Sequence, residues 1–179
     1  MSSQGAHLLQ GAGPVSRLGE FEQEAQAIEG LDVLSLRPGF FVQNFYGNVD
    51  FIKQAGIFGY SVNGDLKMPL VHPNDIAHEA IKHLLALDFE GHTHRFIGGA
   101  EDLSMNEAAA ILGAGIGKPE LAYVQFDPAA AKAGMMQAGS GKRLAEITRQ
   151  TRVSNRPCPL FSCTDSFVST SLSNSLMTS

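Results

Sequence analysis

The fold class of this 179-residue chain is decided by residues 35–44, Ser35-Leu36-Arg37-Pro38-Gly39-Phe40-Phe41-Val42-Gln43-Asn44. An apolar run of strand length, residues 31–36, leads into this stretch, and a helical pattern follows it. Proline cannot donate to a sheet ladder and glycine adopts backbone angles closed to other residues, so the strand is expected to end at Pro38-Gly39. A strand that ends this way and feeds a helix lies at the carboxyl edge of an open α/β sheet, where such sheets bind ligands. A simple turn explains the dipeptide equally well, and the spacing alone leaves both interpretations open.

Helical periodicity is clearest in three segments of the chain. The first runs over residues 16–29 with Ser16 as its expected N-cap, and the second follows the Pro-Gly break at about residues 41–54. The third begins at Pro73, where proline is tolerated in the first turn. The residues expected to face the core are Phe21, Ala25 and Ile28 in the first helix, and Ile76, Ala77, Ala80, Ile81, Leu84 and Leu85 in the third.

Strand and turn signals separate these helices. Asn63-Gly64 lies between two apolar runs, residues 57–62 and 66–71, and predicts a two-residue hairpin whose second arm lies on an edge because it contains Pro69. Further strands are expected at residues 93–97 and 121–126, with a capping box, Ser104 to Glu107, opening a helix between them. The alternation of strands and helices predicts an α/β fold.

Composition excludes several classes of function. A net charge of −5 gives no electrostatic support for a nucleic-acid surface. No apolar stretch approaches the roughly 20 residues that span a bilayer, and no basic segment with an apolar run suggests secretion. Cys158 and Cys163 are neither a disulfide framework nor a zinc set, and His92 and His94 have no third ligand, so no metal is expected. A cytoplasmic location is the expectation.

A change in composition divides the chain. Residues 1–138 carry 8 Lys or Arg and 16 Asp or Glu, whereas residues 139–179 carry 5 and 2, and 14 of those last 41 residues are Ser or Thr. We therefore expect one folded domain over residues 1–138. Residues 139–179 are expected to be a Ser/Thr-rich tail that is disordered or encoded in an altered reading frame.

Seven short motifs follow one another in an order typical of one family. Together they resemble the NmrA-like branch of the atypical short-chain dehydrogenase/reductases over about residues 1–138. The motifs are Ser2-Ser3-Gln4-Gly5-Ala6, Gly13-Pro14-Val15, Phe21-Glu22-Gln23, Leu36-Arg37-Pro38-Gly39-Phe40-Phe41 with Asn44, Asp75-Ile76-Ala77, Leu103-Ser104 with Glu107, and Gly117-Lys118-Pro119.

The resemblance implies a fold and a cofactor. The chain would be the C-terminal portion of a Rossmann-like doubly wound parallel sheet with a small substrate-side α+β region, and its cofactor would be NADP or NAD. The family's N-terminal half, with its glycine-rich phosphate-binding loop, is not matched, so the chain is expected to be a fragment that is inactive alone.

The resemblance also implies roles for individual residues. The cofactor-binding residues it implies are Ser2, Ser3, Pro38, Gly39, Phe40 and Asn44, which would lie on the nicotinamide side, and Asp75 would be structural. The Tyr-Lys pair of typical dehydrogenases has no counterpart, so no catalytic residue is assigned.

Two activities are compatible with the resemblance. One is NAD(P)H-dependent reduction of a small-molecule acceptor of the quinone or azo type. The other is a non-catalytic NAD(P)-sensing regulator or protein-interaction module of the same fold. A defective product without activity of its own is a third interpretation of the isolated chain. Loss of half a parallel sheet would expose a strand edge through which the chain could self-associate.

Overall fold

The computed structural model describes residues 1–10 and 12–130, together with the backbone of Val168 and Ser169. Helices and strands alternate through most of this range, as the sequence predicts. The helices are α1 (Pro14–Gln26), α2 (Val49–Ala55), α3 (Pro73–Ala86) and α4 (Met105–Gly115), with a 3-10 helix at Val42–Asn48. The strands are β1 (Val33–Pro38), β2 (Phe40–Phe41), β3 (Ile57–Tyr60), β4 (Met68–Val71), β5 (His92–Gly98), β6 (Asp102–Leu103), β7 (Ala122–Gln125) and β8 (Val168–Ser169).

The longest strand pairing joins β1 and β5 in parallel, with Val33 opposite His92 and Pro38 opposite Ile97. The N-terminal residues extend this sheet on the other side of β1. Ser2 N–H donates to Leu36 O at 2.7 Å and Gln4 N–H donates to the Pro38 carbonyl at 2.9 Å. These bonds advance by two residues on both segments, which is the pattern of a parallel pair.

Helices α1 and α3 cover opposite faces of the β1–β5 sheet. Glu22 of α1 hydrogen-bonds to Arg37, whereas Ile76 of α3 packs in one buried cluster with Leu36 and Ile97. Successive strand residues point to opposite faces, so Arg37 and Leu36 mark the two sides of the sheet. The sheet is therefore doubly wound, as the resemblance implies.

A second core lies beside this sheet. Strand β4 is the middle strand of three, parallel to β2 and antiparallel to β6, and β3 pairs in parallel with β7. The small substrate-side α+β region expected from the resemblance corresponds to this part of the chain. Its fully buried residues are Phe58, Met68, Leu70, Met105, Ala108, Ala109 and Leu121.

The hairpin expected at Asn63-Gly64 is wrong. Strands β3 and β4 do not pair with each other, and Pro69 lies in the central strand of its sheet rather than on an edge. The Asn63 side chain instead accepts a hydrogen bond from Asp65 N–H at 2.9 Å, and Gly64 O accepts one from Asn106 N–H at 3.1 Å. The turn therefore packs against the start of α4, and tertiary pairing overrides the local hairpin signal.

Helix termini agree with the sequence in α3 and α4 but not in α1. Ser104 and Glu107 form the expected capping box of α4, and α3 begins at Pro73. Helix α1 begins two residues before Ser16, which is buried inside the helix and whose Oγ donates to Leu8 O at 3.0 Å. The expectation that Ser16 caps this helix is therefore wrong. The second expected helix divides into the 3-10 helix and the short α2.

The apolar faces expected on α1 and α3 are buried only in part. In α1, Ala25 is buried but Phe21 is 65% exposed, and the sheet-facing line includes Glu22. In α3, Ile76 is buried but Leu85 is 82% exposed. The other exposed members of the two predicted faces are Ile28, Ala77, Ile81 and Leu84. Periodicity finds an apolar face, but it does not say which surface covers that face.

Few of the predictions for the C-terminal part of the chain can be compared with the described residues. The tail predicted for residues 139–179 lies mostly outside the described residues. The exception is β8, whose two residues pair in parallel with Ile97 and Gly98. Asp127 Oδ1 accepts hydrogen bonds from Ala129 and Ala130 N–H, as expected for a helix that starts at Pro128.

Candidate functional site

The structure brings four of the six predicted site residues to one edge of the main sheet. Pro38 ends β1 and Gly39 follows it, while Ser2 and Ser3 lie in the segment that runs beside β1. The carboxyl end of the neighbouring β5, at Gly98, meets the same edge. Because parallel strands all end together here, this edge is where an open α/β sheet presents backbone to a ligand.

The two serines are tied to this edge in different ways. Ser2 is buried, and its backbone N–H is committed to β1. Ser3 is partly exposed, and its Oγ donates to Gln4 O at 3.1 Å. The Ser3 hydroxyl is thus the one held near the surface of the edge, where it keeps its capacity as an acceptor.

Close packing against β4 leaves no room for a side chain at Gly39. Its N–H donates to Ile97 O at 2.9 Å, and an added Cβ would lie 2.4 Å from Pro69 O. Gly99, directly after β5, approaches the Leu70 carbonyl in the same way, at 2.3 Å from an added Cβ. The glycines after both strands therefore let the backbone of β4 lie close against the sheet edge.

Phe40 begins an aromatic cluster that the sequence did not predict. Its ring meets Tyr60 edge-on at 5.7 Å between centroids and lies 5.8 Å from Phe45. Phe58 and Tyr123 continue the cluster into the second core. The signal available in the sequence was the high density of Phe and Tyr between residues 40 and 60. Because Phe40 directly follows Gly39, the cluster forms an apolar aromatic wall beside the edge.

The tyrosines of this cluster are poor proton donors to a ligand. Burial raises the pKa of Tyr60 to about 12, and its hydroxyl donates to Asn44 O. Burial also raises the pKa of Tyr123, whose hydroxyl hydrogen bonds to the carbonyls of Tyr60 and Val62. Neither hydroxyl is therefore placed to act as a general acid.

Asn44 is the only exposed residue among the six predicted site residues. Its side chain is exposed on the 3-10 helix that follows Phe40, so it is free of a packing role. The buried asparagine of this segment is Asn48, whose Oδ1 accepts a hydrogen bond from Gly59 N–H at 2.8 Å. The sequence indicates Asn44 as a site residue but gives no signal for Asn48, whose hydrogen bond connects the 3-10 helix to β3.

A buried ion pair beside the edge was also missed. Arg37 directs two hydrogen bonds at the Glu22 carboxylate, Nε to Oε1 at 3.1 Å and Nη2 to Oε2 at 2.5 Å. The side chains are 15% and 8% exposed, respectively. Burial raises the pKa of Glu22, but the hydrogen bonds from Arg37 and Ser2, together with the charge of Arg37, outweigh burial and hold this pKa below its ordinary value. The pair fixes α1 against β1 one residue before Pro38.

Two buried side-chain oxygens of the residues that follow β2 and β4 lack a hydrogen-bond partner among the described residues. Gln43 Oε1 follows β2, and Asp75 Oδ2 lies in the first turn of α3, shortly after β4, and both atoms are buried. Strands β2 and β4 are parallel neighbours, so both residues follow the carboxyl end of this pair, which begins one residue after Gly39. Acceptors of this kind suit amide N–H donors. With the aromatic wall, they fit the nicotinamide end of a dinucleotide.

The described residues contain no cluster of potential metal ligands. No group of three or more His, Cys, Asp or Glu residues is arranged to hold a metal ion there. Within the same residues, no helix is long and apolar enough to span a membrane. The edge and the residues that follow it offer main-chain atoms, two side-chain acceptors and an apolar wall.

A sequence comparison finds one curated relative, the uncharacterised oxidoreductase YesF of Bacillus subtilis (strain 168). The two are 36% identical over 85 residues, which is 46% of this chain and 29% of the relative. No family model matches the chain. The chain thus spans less than a third of the curated relative that it matches.

Two solved structures illustrate the similarity in fold. One is an NADPH-dependent quinone oxidoreductase from Escherichia coli in complex with NADPH, with a TM-score of 0.69 and 20% identity over 84% of this chain and 51% of that chain. The other is a nucleoside-diphosphate-sugar epimerase from Staphylococcus aureus, with a TM-score of 0.62 and 16% identity over 80% of this chain and 50% of that chain. These likenesses confirm the expected Rossmann-like α/β fold.

Proposed function

We propose that this chain carries the nicotinamide side of an NAD(P)H site in a reductase that acts on quinone or azo-type acceptors. The observation that carries the proposal is the shared edge of β1 and β5, where Ser3, Pro38 and Gly39 lie together. The likeness to an NADPH-dependent quinone oxidoreductase supports a nicotinamide cofactor. The 36% identity to an oxidoreductase supports a redox function.

The proposed chemistry uses the chain to hold the ring rather than to move protons. When bound, the cofactor supplies a hydride to the acceptor. Phe40 and the backbone at Pro38-Gly39 would confine one face of the nicotinamide, and Gln43 Oε1 would accept a hydrogen bond from its carboxamide. A quinone-type acceptor can take its proton from water, so the lack of a nearby acid is compatible with its reduction.

We propose that the phosphate half of the cofactor is bound by residues other than the ones described here. The quinone oxidoreductase chain is matched over 51% of its length, which leaves room in that fold for a second half of the site. Residues 1–179 alone are then expected to bind NAD(P)H weakly and to reduce no acceptor. A cytoplasmic location remains part of the proposal.

A turnover assay tests the reductase directly. The protein needed is a longer one that joins these residues to a glycine-rich phosphate-binding half, and we expect it to oxidise NADPH when a quinone is added. Cofactor binding by calorimetry without turnover on any of a panel of acceptors would favour the NAD(P)-sensing regulator. Micromolar binding of NADPH by residues 1–179 alone would contradict the divided site.

Asn44 gives the sharpest test of the site itself. Its side chain is exposed, so Asn44→Ala should leave the fold intact. In the longer protein that includes a phosphate-binding half, it should lower kcat/KM for NADPH by about tenfold, the loss of one good hydrogen bond. Tyr46→Ala is the matched control, because Tyr46 is exposed on the same 3-10 helix. Equal kinetics in the two variants would remove Asn44 from the site.

A further inference from the structure

A buried histidine lies between two carboxylates at the end of α3 that faces away from the proposed site. His83 is 3% exposed in the last turn of α3, and Glu79, one turn earlier, is 6% exposed. His83 Nε2 is 2.9 Å from Glu79 Oε1, and His83 Nδ1 is 2.5 Å from Asp88 Oδ1. No part of this cluster belongs to the edge formed by β1 and β5 near Gly39.

The geometry sets the number of hydrogens on the ring. An ionised carboxylate only accepts hydrogen bonds, and a neutral imidazole has one donor and one acceptor nitrogen. Both ring nitrogens of His83 face carboxylate oxygens, so both carry hydrogen when Glu79 and Asp88 are ionised. A neutral ring would instead direct a lone pair at one of the two carboxylates, which is repulsive.

Other charged groups face the cluster without taking the place of His83. Lys82 Nζ is 3.7 Å and Arg95 Nε is 3.9 Å from Glu79 Oε1, both beyond hydrogen-bond distance. Arg95 comes from β5, and His94 on the same strand lines the cavity next to the cluster. The imidazole is therefore the group that hydrogen-bonds both carboxylates together.

The cluster also closes a backbone turn. Helix α3 ends at Leu87, which has a left-handed φ of 47°, uncommon for a residue with a side chain. Its N–H donates to His83 O at 2.9 Å, and the turn returns Asp88 to the His83 ring. The contact between Asp88 and His83 thus helps to hold this uncommon backbone conformation.

A cavity of about 500 Å³ lies against this turn. His83, Asp88 and Phe89 form one wall, and Leu34 of β1 with residues 93–96 of β5 form the other. The wall from the turn is held in place by the contact to the His83 ring. Release of Asp88 would therefore move a wall of the cavity as well as the end of α3.

We propose that Glu79, His83 and Asp88 form a proton-dependent latch that holds the end of α3 against β5 while His83 carries both ring hydrogens. Loss of one hydrogen as the pH rises releases Asp88 and with it the turn at Leu87. The latch also opens in acid. The hydrogen bond from His83 lowers the pKa of Asp88, so the stabilisation by this carboxylate is lost as the pH falls through that lowered value.

Hydrogen exchange of the full chain between about pH 6 and about pH 9 tests the latch. Amides of residues 87–91 are compared with those of α4, which cancels the intrinsic pH dependence of exchange. We expect the ratio to rise about tenfold across this range in the natural protein and to stay flat in His83→Gln. His78→Gln, an exposed histidine of the same helix, should behave as the natural protein does.

A second variant and a second measurement keep the test decisive. If His83→Gln also loses protection in α4, Asp88→Asn replaces it, since Asp88 is partly exposed and its loss should free the turn without unfolding the core. The nitrogen chemical shifts of His83 near neutral pH should be those of a ring with two hydrogens. A neutral ring, or a ratio in the variants that rises as in the natural protein, overturns the proposal.

Discussion

Single residues at the sheet edge have roles that their identity alone does not reveal. The sequence indicates Gly39 as a strand end because glycine adopts backbone angles closed to other residues. Gly39 is not, however, among the glycines of the described residues that have a positive φ. The structure requires glycine there because the carbonyl of Pro69 occupies the space of a Cβ. The absence of a side chain, rather than a left-handed backbone, is therefore what the position needs.

Substitution of Gly39 tests this explanation. Gly39→Ala should destabilise the protein by about 1–3 kcal/mol, because backbone atoms must move to accommodate the methyl group. Gly47→Ala is the matched control, since nothing lies within 4 Å of its Cβ position. Urea unfolding measures both. Equal stability of the two variants would mean that the backbone at Pro69 moves to accommodate the methyl group at little cost in free energy.

The lowered pKa of Glu22 predicts how the stability of the protein changes in acid. Its pKa is held below the ordinary value in the folded protein, so its carboxylate contributes stability at neutral pH that is lost as the pH falls through the lowered pKa. Glu22→Gln should therefore cost about 1–3 kcal/mol at neutral pH and less in acid.

The control for Glu22 is another glutamate of the same helix. Glu20 pairs with Arg17 on the surface, where side chains are largely solvated, so Glu20→Gln should change stability by less than about 1 kcal/mol at any pH. Unfolding curves collected from neutral to acid pH distinguish the two. An acid limb that is unchanged in Glu22→Gln would show that the buried pair does not govern it.

At the scale of elements, α1 and α3 share one feature. Each helix buries a line of residues against the sheet and exposes an apolar flank beside that line, and Phe21 lies about 100° around the axis from Glu22. An exposed apolar face marks a surface where another element or a partner can pack. Such a flank lies on each of the two faces of the sheet.

From the exposed apolar flank of α3 we predict an effect of substitutions there on self-association of the protein. The double variant Leu84→Lys with Leu85→Lys should reduce self-association while it changes the free energy of unfolding by no more than about 0.5 kcal/mol. Ile76→Lys, on the buried line of the same helix, should unfold the protein. Light scattering and urea unfolding measure the two effects. A loss of stability in the double variant close to that of Ile76→Lys would mean that this flank is buried in solution.

For the whole molecule, one sheet edge and one latch lie at opposite ends of the same strands. The carboxyl ends of β1 and β5 carry the proposed nicotinamide site, and the amino end of β5 carries the cavity beside His83. Helix α3 joins the two, with Asp75 in its first turn and His83 in its last. This arrangement allows the state of the latch to be measured independently of cofactor binding.

The sequence by itself determined the features that depend on local order. The α/β alternation, the end of β1 at Pro38, the start of α3 at Pro73 and the capping box at Ser104 all follow from propensity and capping within a few residues. The order of the short motifs identified the fold, which the likeness to solved structures confirms.

Only the tertiary structure decided which surfaces meet. The pairing of β3 with β7, the buried Glu22–Arg37 pair and the latch at His83 join residues that are distant in sequence or whose polarity argues against burial. Periodicity predicts that a face is apolar, but burial depends on the surface that packs against it. That is why Ile76 is buried while Leu85, on the same predicted face, is exposed.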